Sequence, residues 1–320
     1  DATPMFASRT FARSFGFEDR PLHPLLCLNL ALSFSVHDVS EQAIAHLAYL
    51  DVRFPEPGYP GDTVTARSTV LGIKPSSSGD KGVAHVRTVL SNERDQILCA
   101  FERKALIRSG RLEARPASPP AKGSTPELKS LPHLPPPLRQ ANPKTPEPAR
   151  FARGFEDFSP GQIYLHEIGK TVGESEHMQL TALFRNSHPL HFDELYCKDH
   201  SFAKTRVVYG GLVFGWVATL ASRDVAGNAL WEIGFDAGAH PNGVVAGDTL
   251  YAASKVLAAK EHGAHGEVTM RLVGVKNVTS AAAFERHGDA LFAEELAKEK
   301  DQKIKEKVFE ITRTIYVRKS

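Results

Sequence analysis

Two stretches of the chain are apolar on every side. Residues 22–36 read LHPLLCLNLALSFSV and residues 207–222 read VVYGGLVFGWVATLAS. A helix that is apolar all round is one buried inside a protein. The second run, at 16 residues, falls short of the roughly 20 needed to cross a membrane. After each run come segments in which apolar and polar residues alternate between turn residues, the pattern of strands. They predict strands at 44–54, 62–74, 83–92 and 97–108, and again at 230–239, 248–258, 266–275 and 307–317. KPSSSGDKG at 74–82 reads as a hairpin loop. The charged stretch 294–307 reads as an exposed helix or mobile insertion, and Asp199-His200 as a solvated loop.

The two series are copies of one pattern. GDTVTARSTVL starts at Gly61 and GDTLYAASKVL at Gly247, 186 residues later, with 7 of 11 positions identical. Asp1-Ala2-Thr3-Pro4 lies against Asn186-Ser187-His188-Pro189 within a residue of the same offset. Between the copies, residues 116–148 hold 11 of the 21 prolines, which no helix interior or central strand accepts. The reading is a first domain over 1–115, an exposed proline-rich linker over 116–149, and a second domain over 150–320. In each domain a sheet curls around one buried helix. That is an α+β double hotdog, two antiparallel sheets each wrapped around a central helix, paired as an internal dimer. The second copy carries about 35 residues ahead of its polar turn, where the first begins at that turn. The first hotdog is therefore expected to lack an opening strand and helix in this numbering, and to be non-catalytic.

Composition narrows the function. A net charge of +2 with no basic stripe gives no case for nucleic acid. Three cysteines, Cys27, Cys99 and Cys197, are odd in number and far apart. They argue against a disulfide framework and a zinc site, and make a reducing, cytoplasmic setting the default. The spacing of His188 and His191 lacks a third ligand, so no metal is expected.

The candidate chemistry sits just upstream of the second apolar run, at Asn186-Ser187-His188-Pro189-Leu190-His191. Proline fixes the turn so that His191 projects toward the helix start. An imidazole there is able to move protons near neutral pH. Gly210-Gly211 at the helix start would present bare N–H groups backed by the helix dipole, suited to a developing oxyanion. The same pair also fits a role in close helix packing alone. Asn186 cannot act as a base, but it can orient a water. Arg185 and Arg206 lie near the knot and are candidates for a substrate carboxylate, for CoA phosphate or for solvent.

This ordered cluster resembles the MaoC-like, R-specific enoyl-CoA hydratases. Pro189 and His191 match their signature, Asn186 stands where that family has its catalytic Asp, and Gly211 stands on the family glycine. The whole chain more closely resembles the two-domain mesaconyl-CoA hydratases, also described as β-methylmalyl-CoA dehydratases. The likeness rests on Asn186 with His191-Phe192, on Val208-Tyr209-Gly210-Gly211, and on His240 and Asn242 running into Gly247-Asp248-Thr249 and Tyr251. It implies a hydro-lyase adding water to a branched or dicarboxylic enoyl-CoA, with His191, Asn186 and Gly211 catalytic. Gly210, Tyr209, Arg206, Arg185 and His240 would contact substrate. CoA would enter as part of the substrate with no separate cofactor, and the double-hotdog chains would form a homo-oligomer. The first copy has Phe6 at the His191 position and His23-Pro24 in place of Tyr209-Gly210-Gly211. Leu25 is expected to keep an N–H to donate there, crowded by its side chain. Asp1 is expected to lie too far away to help His191. Two other functions stay open: a hotdog thioesterase, which wants an acid on the central helix where residues 212–221 have none, and an acyl-CoA binder without activity.

Overall fold

The computed structural model describes residues 3–41, 43–76, 79–108, 125–139, 152–263, 265–298 and 300–319. Two short helices, α1 (Pro4–Ala7) and α2 (Arg9–Ser14), lead to the first buried helix, α3 (Pro24–Phe34). Four strands follow: β1 (Ala43–Arg53), β2 (Val64–Pro75), β3 (Lys81–Asn92) and β4 (Ile97–Arg108). The second half opens with short strands β5 (Ile163–Leu165) and β6 (Lys170–Thr171) and helix α4 (Glu174–Leu183). Next come a 3-10 turn (Pro189–His191), α5 (Glu194–His200) and the second buried helix, α6 (Gly210–Val225). Strands β7 (Ala229–Ala239), β8 (Thr249–His262) and β9 (His265–Lys276), helix α7 (Ser280–His287) and strand β10 (Lys307–Arg318) complete it. The long strands fall where the alternation placed them, and the buried helices fall on the two apolar runs, α6 lying three residues further on than 207–222. α3 starts at Pro24 because proline's fixed φ and missing N–H suit a first helical position.

The strands form one ten-stranded sheet in the order β2-β3-β4-β1-β7-β10-β9-β8-β5, with β6 beside β8. α3 packs on β2, β3 and β4, and α6 on β8, β9 and β10. Each half thus wraps its own helix, which is the double hotdog. The halves join where β1 runs antiparallel to β7, with Tyr49 opposite Gly238 and Val52 opposite Phe235. A step of 186 residues carries Tyr49 to Phe235 and Val52 to Gly238. The seam is its own image and lies on a pseudo-twofold axis. The Gly-Asp repeat is turn chemistry. Gly61 and Gly247 have φ of +102° and +90°, where a side chain would be strained. Asp62 and Asp248 then accept from the Tyr59 and Val245 N–H groups at 2.9 and 3.0 Å.

Three expectations are corrected. The linker is not simply exposed: Leu128 packs on Val89 and Ala100, and Leu134 and Leu138 enter the main core. Leucines spaced among the prolines carried that signal. The rest of the linker lies outside the described residues. The stretch 294–307 is only partly solvated: Glu294, Leu296, Asp301, Gln302 and Lys305 are exposed, but Glu295, Ile304 and Lys307 are buried. Glu295, Lys307 and Glu310 are all at most 1% exposed. Lys307 Nζ lies 2.6 Å from Glu310 and 3.4 Å from Glu295. Buried charges persist where they satisfy one another, and a rule that assigns every charge to the surface misses such a set. Asp199 and His200 end helix α5 rather than forming a loop.

Candidate active site

The polar knot follows α4. Asn186 is buried, and its Oδ1 accepts from the His188 N–H at 3.0 Å, closing a turn of the Asx type. His188 caps the next turn, its Nδ1 accepting from the Leu190 N–H at 3.2 Å. That turn brings His191 to the start of α6, its ring 5.6 Å from the ring of Tyr209. His191 Nδ1 lies 2.8 Å from the Val207 carbonyl oxygen. A carbonyl only accepts, so Nδ1 carries the proton and Nε2 keeps its lone pair. Nε2 has no hydrogen-bond partner among the described residues. Burial pushes the imidazole down to about 4, so it is neutral at neutral pH.

At the start of α6, the Gly210 and Gly211 N–H groups find no backbone acceptor among the described residues, as the first turn of a helix dictates. A Cβ at Gly210 would come within 2.9 Å of His240 Nε2, and one at Gly211 within 1.9 Å of Asn29 Oδ1 on α3. Close packing of α3 on α6 therefore requires Gly211, whatever its N–H also does. Gly211→Ala should cost about 1–3 kcal/mol, the usual scale of overpacking, and adding Asn29→Ala should recover only part of it, since the new Cβ also lies within 2.6 Å of the Tyr209 ring. Urea titration decides this. An unchanged midpoint for Gly211→Ala alone would show that the helices are not in contact there. Tyr209 ties the same two helices, its hydroxyl 3.4 Å from both Ser33 Oγ and the Asn29 carbonyl oxygen. Burial raises that hydroxyl to about 12, opposed by hydrogen bonding from Ser33 and Asn186.

A cavity of about 220 Å³ opens over these groups. The second half lines it with Asn186, His191, Tyr209, Gly210, Gly211 and His240. The first half supplies Ala45, His46, Tyr49 and Arg103. None of the described lining residues is Asp or Glu. His240 Nε2 lies 3.3 Å from the Tyr49 hydroxyl, and burial lowers its imidazole to about 4. The ring nitrogens of His46 are buried without hydrogen-bond partners among the described residues, and burial holds it well below the ordinary imidazole value. Arg103 is 4% exposed and pairs with no carboxylate among the described residues.

Arg206 and Arg185 do not join this group. Arg206 is held by Glu174, and by Glu194 at 3.7 Å. Arg185 is exposed where the chain leaves α4 in a left-handed turn, φ +64°. Nearness in sequence to the knot did not translate into nearness to the cavity. His46, Tyr49 and Arg103 lie in the half that lacks the polar knot, so no local motif marks them. A position-by-position comparison of the two copies was the signal available.

That comparison also shows what became of the counterpart site. The Leu25 N–H, expected to remain a donor, is already taken by His23 Nδ1 at 3.1 Å, and Pro24 has no N–H. Phe6 packs on His23 and Trp231, with ring centroids 4.5 and 5.8 Å away. By the 186-residue step, Trp231 stands for Ala45, Phe235 for Tyr49 and Phe54 for His240. Aromatic side chains fill one site where small and polar ones line the other. Asp1 lies outside the described residues.

Residues 1–287 match the family model described as mesaconyl-CoA hydratase. The chain is 34% identical over 285 residues to the mesaconyl-CoA hydratase of Cereibacter sphaeroides, covering 85% of this chain and 79% of that protein. It is 32% identical over 259 residues to the β-methylmalyl-CoA dehydratase of Chloroflexus aurantiacus, covering 79% and 71%. Among solved structures, a MaoC domain protein of Chloroflexus aurantiacus J-10-fl superposes with a TM-score of 0.81 at 26% identity, over 99% of this chain and 88% of that one. A hypothetical protein of Mycobacterium tuberculosis, described as a double hotdog fold, superposes with a TM-score of 0.70 at 19% identity, over 98% and 88%. On this match of sequence and fold, the chain belongs to the mesaconyl-CoA hydratase family.

Proposed function

We propose that the chain is a hydro-lyase that reversibly adds water across the α,β double bond of an acyl-CoA thioester. The observation that carries this is one cavity holding both a neutral imidazole with an unused Nε2 and the bare N–H groups of a helix start. In the hydration direction, His191 Nε2 takes a proton from water as the water oxygen bonds to the β-carbon. The π electrons move onto the thioester oxygen, where the Gly211 N–H and the α6 dipole meet the new charge; a donor so placed is worth on the order of 3 kcal/mol. The proton then passes to the α-carbon, the carbonyl re-forms and His191 ends neutral. Asn186 holds the water through the second lone pair of Oδ1, the first being used by His188. Gly210, Tyr209 and His240 wall the acyl group.

At about 220 Å³ the cavity is below the roughly 300–1,000 Å³ of sites that enclose a drug-sized ligand. It takes the acyl end, and the nucleotide of CoA stays outside. The relatives' names make a branched dicarboxylic enoyl-CoA the first to try. Incubation with mesaconyl-CoA and with crotonyl-CoA, following the enoyl absorbance and free thiol, tests the reading. Loss of absorbance without thiol supports it, whereas thiol release or no change contradicts it.

The base works in its neutral form, so pH gives a second expectation. kcat/KM reports groups of the free enzyme. It should stay level down to about pH 5 and fall with a limb near 4, where burial has placed His191. A limb near the ordinary histidine value of about 6.5 would remove His191 from the role. The assay needs a check on folding at each pH. His23, His191 and His240 sit at about 4 in the fold, so between about 6.5 and 4 the unfolded chain binds more protons and stability falls as pH falls.

A further inference from the structure

The two halves place an arginine at the same point of the same sheet, and among the described residues only one half gives it a counter-ion. Arg103 lies opposite Tyr49 across β4 and β1, and Arg313 lies opposite Phe235 across β10 and β7. Tyr49 and Phe235 are 186 residues apart. His46 and Glu232 correspond in the same way, His46 opposite Ala105 and Glu232 opposite Ile315. In the second half Glu232 grips Arg313 with both oxygens, one accepting from Nε at 3.0 Å and the other from Nη2. In the first half the glutamate's place is taken by His46.

Arg103 is left with a charge and little to balance it. Among the described residues its hydrogen bonds run only from Nη2, to Ser35 Oγ at 2.9 Å, Ser40 Oγ at 3.3 Å and the Ser35 carbonyl at 3.4 Å. Nε is buried without a partner among the described residues. A buried cation without a counter-ion is costly, and the fold avoids that cost at two other buried arginines. Arg313 has Glu232, and Arg271 has Glu310 at 3.2 Å. Arg103 differs from both in lining the cavity that holds His191 and Gly211. The missing carboxylate therefore has a route in, with a ligand.

We propose that Arg103 receives a carboxylate carried by the substrate's acyl chain, in the place that Glu232 occupies against Arg313, with His46 donating a second hydrogen bond. This rests on the proposed reaction and adds the residue that selects among its substrates. It assigns that selection to the first half, while proton transfer belongs to the second. The CoA phosphates are a poor match for Arg103, because it is buried in a cavity that takes only the acyl end.

The test compares two non-hydrolysable thioethers of equal chain length, S-(3-carboxypropyl)-CoA and S-butyl-CoA, by calorimetry on the full chain. The parent should prefer the carboxylate by about 10²-fold, the scale for a buried charge pair. In Arg103→Leu that preference should vanish. His46→Glu rebuilds the second half's pair, so it should also lose the preference while melting no lower than the parent. A preference that survives in both variants, or equal weakening of both ligands in Arg103→Leu, overturns the assignment. With substrates, the ratio of kcat/KM for mesaconyl-CoA over crotonyl-CoA should fall by a similar factor in Arg103→Leu. If the parent hydrates neither thioester but binds the carboxypropyl ligand through Arg103, the reaction is wrong and the carboxylate site stands. Turnover in the parent with a ratio unmoved by Arg103→Leu leaves the reaction standing and overturns the site.

Discussion

Replacing His191 with alanine should lower turnover of the enoyl thioester by about 10²-fold or more, the usual scale for losing a general base. The effect should fall on kcat more than on KM, because the imidazole acts on water rather than on the acyl group. The cost to folding should stay near about 1 kcal/mol, the scale of one lost hydrogen bond, since the ring's bond to the Val207 carbonyl goes while the Asn186 and His188 turns remain. Loss of enoyl absorbance in the variant and the parent, with a melting curve for each, gives the comparison. Near-normal turnover would send the base elsewhere in the cavity, to His240 or His46.

The second large effect is on stability. Glu232→Leu strands Arg313, which is 1% exposed, and removing one partner of a buried pair costs about 3–5 kcal/mol. Arg103→Leu strands no carboxylate. It loses only hydrogen bonds to two serines and removes an uncompensated charge, so its change should stay within about 1 kcal/mol in either direction. Urea titration of the two variants side by side measures the asymmetry. Equal losses would mean that Arg103 is as well satisfied as Arg313 and has no need of a ligand.

Much of the fold was legible in sequence because each half obeys local rules. Alternation gave the strands, all-round apolarity gave α3 and α6, and the repeated Gly-Asp turn gave the pseudo-symmetry. The knot and the helix start were also legible, since proline and glycine impose geometry over a few residues. What was not legible depended on how the fold brings side chains together. Lys307 with Glu295 and Glu310 reads as surface charge until the chain brings them together inside the fold. Arg206 reads as a neighbour of the knot until Glu174 and Glu194 claim it. Arg103 and His46 belong to a cavity that exists only once the halves meet at the β1–β7 seam. Ala45 against Trp231 and His46 against Glu232 were open to comparison, but their meaning required knowing that β1 and β7 face opposite sites.

Among the described residues the chain holds one open site built from both halves and one filled counterpart. Calorimetric titration of the parent with S-(3-carboxypropyl)-CoA measures this directly, through the number of ligands bound per chain. One ligand per chain, abolished by closing the cavity with Ala45→Trp, the residue that its counterpart Trp231 presents, is the predicted result. Two ligands per chain, or one that binds undiminished to Ala45→Trp, would contradict it.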